Sequence, residues 1–205
     1  MQKSVIFDLG GVLIDWNPRH LYRKLFPGDE AAMERFLGEI CTMDWHVQHD
    51  AGRPFAETRE ELKRKHPSHA TLIDAFGDRY DEMIAGAIPG SVALLERLAA
   101  GGVPLYAITN YPAQAFPMAQ KTFSFLTLFR DIAVSGYEKV MKPDAELFNI
   151  LFRRNNITPQ QAIFIDDSVK NVDAARGLGL HAIHFRSSDA LERELMELGV
   201  LRARA

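Results

Sequence analysis

Five short apolar runs punctuate the chain: Val5–Phe7, Val103–Ile108, Ile132–Val134, Ala162–Ile165 and His181–Phe185. None alternates cleanly with polar residues, as expected of strands buried on both faces of a parallel sheet. Helical segments fill the gaps between the later runs, which gives the βαβ pattern of an open α/β fold. Ser91–Ala100 follows Pro89-Gly90 and stops at Gly101-Gly102. Asp144–Asn155 places Leu147, Ile150 and Leu151 on one helical face. Thr158-Pro159-Gln160-Gln161 reads as a capping box in which Gln161 reaches back, and a last helix is expected from about Ser188 to Leu198.

The stretch between the first two runs breaks this rhythm. It is too long for a single crossover helix, contains no convincing strand, and carries helix starts at Asn17-Pro18, Asp29-Glu30, Pro54 and Thr71. The pattern predicts a helical cap over 16–87 inserted into a core built from 1–15 and 88–205. Such a cap would sit over the carboxyl ends of the strands, where open α/β sheets bind ligands. Trp16, Tyr22, Phe26, Phe36 and Trp45 read as packing residues, and the aromatic segment Phe116–Phe129 as core or interface.

Four strand ends carry candidate chemistry. Val5-Ile6-Phe7 delivers Asp8, and Gly10-Gly11 then allows a sharp turn and a close backbone approach to a ligand. A second strand ends in Thr109-Asn110, a hydroxyl and an amide that could each bond a phosphate oxygen. Lys142 precedes Pro143, which keeps it out of helical conformation and frees its side chain to turn elsewhere. Ile163-Phe164-Ile165 delivers Asp166-Asp167-Ser168, with Asn171 and Asp173 beyond. Adjacent carboxylates at the end of an apolar strand repel, and a hard divalent cation would relieve them. Each feature also has a plain structural use, as a turn, a cap or a solvated charge. Parallel strands bring all four to one crevice holding a carboxylate nucleophile, a hydroxyl, a cation and a metal-ready acidic pair. Phosphoryl transfer requires that set.

Composition narrows the partners. The 205 residues are 47% hydrophobic and 25% charged, with a net charge of −3. That balance suits a soluble globular protein and gives no reason to expect nucleic acid or an anionic membrane as partner. Cys41 is the only cysteine, so no intrachain disulfide forms, and a packed helical thiol is expected. The opening residues read as neither a signal peptide nor a membrane span, so a cytoplasmic location is expected. Periodicity leaves monomer and homodimer equally open.

With these motifs in order, the sequence resembles the haloacid dehalogenase-like hydrolase superfamily. The matching residues are Phe7-Asp8-Leu9-Gly10-Gly11-Val12, Ile108-Thr109-Asn110, Lys142-Pro143 and Asp166-Asp167-Ser168. The resemblance implies a Rossmann-like α/β core with a five-stranded parallel sheet, a helical cap, and an aspartyl-phosphate formed on Asp8. It further implies Mg²⁺ held by Asp8, Asp167 and the Gly10 carbonyl with Asp166 close by. Thr109, Asn110 and Lys142 would bind the substrate, a small phosphorylated metabolite, with Lys142 also steadying Asp8. Gly10 stands where most phosphatases of this superfamily have a second Asp as general acid and base. Loss of such a group costs about 10² to 10⁴ in rate, less where the leaving group is good, so sugar phosphates such as a sugar 1-phosphate are candidate substrates. The branch with glycine here is similar to glucose-1-phosphate phosphatase and the N-terminal phosphatase domain of epoxide hydrolases, a likeness that extends to Trp45-His46 and Gly52. His46, His49 and Asp15 are candidates for a substitute acid.

Three rival functions follow. A 2-haloacid dehalogenase also lacks the second Asp, but works without metal and gains nothing from Asp166-Asp167. A binding module that has lost its acid would not need Asp8, Thr109, Lys142 and the acidic pair together. A phosphomutase must return the phosphoryl group to a sugar, and nothing in the sequence points there.

Overall fold

In the computed structural model, which describes residues 3–202, the first apolar run forms β1 (Ser4–Phe7). A short ribbon follows, β2 (Ile14–Trp16) paired antiparallel with β3 (Ile84–Ala87). The remaining strands are β4 (Leu105–Thr109), β5 (Asp131–Val134), β6 (Ala162–Asp166) and β7 (His181–His184). They assemble with β1 into a five-stranded parallel sheet in the order β5-β4-β1-β6-β7. Val5 lies opposite Leu105 on one side and Ile163 on the other. Strand order reverses beside β1, which opens a crevice at its carboxyl end.

Alternation within the strands sorts their side chains onto two cores. Val5, Phe7, Leu105, Ala107, Ile163 and Ile165 pack on one face. Ile6, Tyr106, Ile108 and Phe164 pack on the other. Both faces are buried, so each strand is apolar throughout; full burial of each large side chain contributes about 1.5–3 kcal/mol.

Residues between the ribbon strands form α1 (Pro18–Leu25), α2 (Glu30–Glu39), α3 (Met43–Asp50), α4 (Phe55–Lys65) and α5 (Ala70–Asp78). Asn17 and Asp29 cap the first two, each accepting a backbone N–H. Beyond them come α6 (Pro89–Ala100), α7 (Phe116–Thr122), α8 (Ser135–Glu138), α9 (Ala145–Asn155), α10 (Val169–Gly177) and α11 (Ser188–Glu197). Among the described residues, no helix is long and apolar enough to cross a membrane.

Several expectations are corrected. The stretch 16–87 does contain a strand, β3, whose Ile84-Ala85-Gly86-Ala87 is short and lacks a β-branched run. Helix α3, capped by Thr42, had no helix start assigned to it, because its buried face consists of Trp45, His46, His49 and Asp50 instead of aliphatic residues. Thr158 makes no side-chain capping bond; Pro159–Gln161 is a single 3₁₀ turn running straight into β6. Cys41 is buried as expected but lies in the turn between α2 and α3, with its thiol pushed up to about 12 by burial. Phe116, Phe123, Phe125 and Phe129 are core residues.

Candidate active site

Asp8 is the first residue beyond β1, and its N–H donates to the Ile165 carbonyl of β6 (2.8 Å). The chain then turns tightly, with Leu13 and Ile14 N–H both donating to the Leu9 carbonyl at 2.8 Å. Gly11 occupies the left-handed region at φ 71°. A Cβ on Gly11 would lie 2.2 Å from Oδ2 of Asp167, so only glycine lets that carboxylate rest there. Around Gly10 a Cβ would meet nothing within 4 Å.

Lys142 is buried among these groups. Its ammonium donates to the Ile108 carbonyl (3.0 Å) and to Asp166 Oδ2 (2.7 Å), and contacts Asp8 Oδ1 at 2.8 Å. Those three partners match the three protons of an ammonium. Lys142 therefore offers a donor to a substrate only by exchanging one of these bonds. Asn110 is engaged likewise. Its Nδ2 donates to the Lys142 carbonyl (3.0 Å) and its Oδ1 accepts the Lys142 N–H (2.8 Å), which makes it a two-point clamp on the lysine backbone.

Asp166 is fully enclosed. Oδ1 accepts from Ser168 N–H (2.8 Å) and Asn171 Nδ2 (3.0 Å), while Oδ2 accepts from Lys142 and from the same Asn171 amide (3.1 Å). Asn171, to which the sequence assigned no task, emerges as the orienter of Asp166; its place in the first turn of the helix after β6 was the available signal. Asp173 instead pairs with Arg176 at the surface.

Oxygens of Asp8, Asp166 and Asp167 all lie within 4.8 Å of one another. Lys142 is the cation in contact with Asp8 and Asp166, and three carboxylates exceed its charge by two. Burial pushes Asp8 up to about 8; Lys142 opposes this, while Asp166 and Asp167 add to it. Burial alone would lower Lys142, but Asp8 and Asp166 outweigh it and hold its pKa above the ordinary value. Asp167 is raised by desolvation of its carboxyl and by Asp166, although the residue as a whole is exposed at the crevice mouth. A hard divalent cation fits such a donor set, with exposed Asp167 and the outward oxygen of Asp8 as its accessible ligands. Both polar contacts of Asp8 fall on Oδ1, so Oδ2 carries no hydrogen bond among the described residues.

Thr109 ends β4 and is 1% exposed, yet its Oγ1 has no hydrogen-bond partner. An orphaned hydroxyl at a strand end is a ready donor to an anion. The candidate acids fare differently. Asp15 faces solvent and pairs with His20 (3.1 Å). His49 is held down to about 3 by burial and by nearby His46, and sits 2.6 Å from Thr58 Oγ1, so near neutral pH it is not the imidazolium that a general acid requires. His46 is buried, stacked on Trp16, and 3.4 Å from Asp50. A surface cavity of about 620 Å³ lies at the amino end of the sheet around Lys3, Arg97 and Val103, away from these groups.

Comparison with known proteins places these motifs. The haloacid dehalogenase-like hydrolase family matches residues 2–179. A sesquiterpene phosphatase of Aspergillus oryzae is 28% identical over 199 residues, spanning 96% of this chain and 96% of that protein. A HAD family enzyme of Bacteroides thetaiotaomicron, solved in complex with magnesium and inorganic phosphate, is similar with TM-score 0.69 and 24% identity, covering 91% of this chain and 95% of that chain. The L-2-haloacid dehalogenase of Xanthobacter autotrophicus has TM-score 0.65 and 17% identity, covering 98% and 85%. At these identities the two structures establish the shared fold alone.

Proposed function

As the chain belongs to the haloacid dehalogenase-like hydrolases, we propose that it is a cytoplasmic, Mg²⁺-dependent phosphatase of small phosphorylated metabolites, possessing Asp8 as nucleophile. The observation that carries this reading is the acidic triad, whose oxygens lie within 4.8 Å of one another around a single contacting lysine. Mg²⁺, held by Asp8, Asp167 and the Gly10 carbonyl, would supply charge neutralisation between an anionic nucleophile and an anionic substrate. Asp166 lies behind that set and keeps Lys142 in place.

Oδ2 of Asp8 attacks phosphorus, the ester P–O bond breaks, and the leaving oxygen takes up a proton from solvent water. Thr109 donates to an equatorial phosphoryl oxygen, Lys142 holds the carboxylate aimed, and bound Mg²⁺ would favour its ionised form. Water then attacks the aspartyl-phosphate, which releases inorganic phosphate and restores Asp8. Gly10 moves no proton, so esters with good leaving groups suit this site best. Residues 16–87 serve as a cap on a core of 1–15 and 88–205. Contacts consistent with that are the Phe55 N–H bond to Gln114 Oε1 (2.7 Å) and the packing of Tyr80 on Tyr111.

Carbon–halogen hydrolysis on the same fold is disfavoured by charge, because a halocarboxylate meets three carboxylates and gains nothing from Asp167. A panel of phosphorylated metabolites and 2-haloacids, assayed with Mg²⁺ and with EDTA, separates the two. Phosphate release that needs Mg²⁺ and vanishes in Asp8→Asn is expected. Metal-independent halide release would overturn the assignment.

A further inference from the structure

Five buried polar atoms around α3 lack aligned hydrogen-bond partners among the described residues: Trp16 Nε1, His46 Nδ1, His49 Nδ1, Asp50 Oδ1 and Tyr111 OH. His46, Asp50 and Tyr111 are each no more than 5% exposed. Native interiors pair nearly all such atoms, so several orphans in one neighbourhood point to a ligand or to bound water.

They do form one neighbourhood. Trp16 stacks on His46, with ring centroids 4.7 Å apart. His46 and Asp50 share a face of α3, one turn apart, at 3.4 Å. Tyr80 packs 6.4 Å from Trp16 and 5.9 Å from Tyr111. The Tyr111 hydroxyl is raised by burial and then by the charge of Asp50, which places the carboxylate beside it. Tyr80 responds to both groups, and its hydroxyl lies toward Trp16 Nε1. Phe76 and His49 close the far side of His46.

This neighbourhood adjoins the chemistry along the chain. Tyr111 is two residues past Thr109, whose own hydroxyl is the remaining orphan of the crevice. Trp16 lies on the ribbon strand that leads directly out of the Gly10-Gly11 turn. Along the chain, the orphaned atoms are thus tied both to the end of β4 and to the turn after Asp8.

We propose that Trp16, His46, Asp50 and Tyr111 form a recognition subsite for a leaving group bearing several hydroxyls. The indole supplies a donor and a flat apolar face. A carboxylate oxygen supplies an acceptor, and the phenol and imidazole each supply one more polar atom. Only a ligand that both donates and accepts at neighbouring positions satisfies such a set. A hydrocarbon leaving group would leave the polar atoms of all four residues unpaired. The inference rests on the phosphatase reading and adds to it the chemical class of the alcohol released.

The test compares kcat/KM for glucose 1-phosphate, glycerol 3-phosphate and n-hexyl phosphate, with acetyl phosphate as common reference, in the Mg²⁺-loaded full chain. The polyol esters should exceed the hexyl ester by at least about tenfold. Tyr111→Phe, which removes one oxygen and keeps the ring, and Asp50→Asn should each lower the polyol-to-acetyl ratio by about tenfold or more, chiefly through KM. Should Asp50→Asn misfold, Tyr111→Phe decides alone. Equal or better turnover of the hexyl ester overturns the inference while leaving the phosphatase reading intact. So does a variant that slows every substrate alike, the mark of a structural role or of trapped water. Absence of phosphate release from any ester, acetyl phosphate included, removes both.

Discussion

Lys142 lies between Asp8 and Asp166, 2.8 Å from the first and 2.7 Å from the second, with its third proton on the Ile108 carbonyl. One ammonium thus joins the ends of β1, β4 and β6. Replacing it by Met leaves two carboxylates buried without their counter-charge, and breaking a buried pair in this way costs about 3–5 kcal/mol. A urea midpoint should fall accordingly, with activity lost. Asn110→Ala should act more gently. It removes two hydrogen bonds to the Lys142 backbone, worth about 1 kcal/mol each, and should lower kcat more than it raises KM.

Thr109→Val separates function from stability. The hydroxyl has no partner to lose, so the thermal midpoint should stay level or rise slightly. If Oγ1 binds the phosphoryl group, kcat/KM drops about tenfold to a hundredfold, the range of a hydrogen bond to a charged group. A matched fall in stability would show the hydroxyl to be structural.

Gly10 and Gly11 should differ sharply. Gly11→Ala drives a methyl into Asp167 at a backbone angle that disfavours it, and should weaken Mg²⁺ binding measured by calorimetry. Gly10→Asp enters open space, so the protein should fold. It should speed hydrolysis of alkyl phosphates by up to about 10², with little change for acetyl phosphate, whose leaving group needs no proton.

Mg²⁺ affinity should rise with pH. Without a cation, Asp8 retains its proton up to about 8, because burial and two neighbouring carboxylates outweigh Lys142. A metal ligand must be deprotonated, so below that value binding releases a proton and strengthens up to about tenfold per pH unit. Calorimetry in buffers of different ionisation enthalpy reads the proton directly, and affinity independent of pH between 6 and 8 would contradict the assignment.

His49 makes stability rise with pH as well. Its folded pKa of about 3 lies below the ordinary imidazole value, so the unfolded chain binds the extra proton first. Its contribution is complete above about pH 6.5 and is lost as pH falls toward 3. In His49→Gln, which can still bond Thr58, acid unfolding should begin at lower pH.

The sequence alone determined the α/β class, the five parallel strands and the four motif-bearing strand ends. Buried parallel strands must be apolar throughout, as Ile163-Phe164-Ile165 is, and polar residues directly after such runs must lie at the crevice. Helix starts at Asn17 and Asp29 were legible because capping is local.

Only the tertiary structure decided how the site residues divide their work. Lys142 and Asn110 looked like substrate ligands because charge and amide are local properties. That their protons and lone pairs meet Asp8, Asp166 and backbone groups far away in sequence is visible only in three dimensions. Helix α3 and the orphaned atoms around Asp50 escaped the pattern because a face of Trp, His and Asp carries no aliphatic period. A hydrogen-bond partner, or the lack of one, is a fact about three-dimensional neighbours, and no spacing along the chain encodes it.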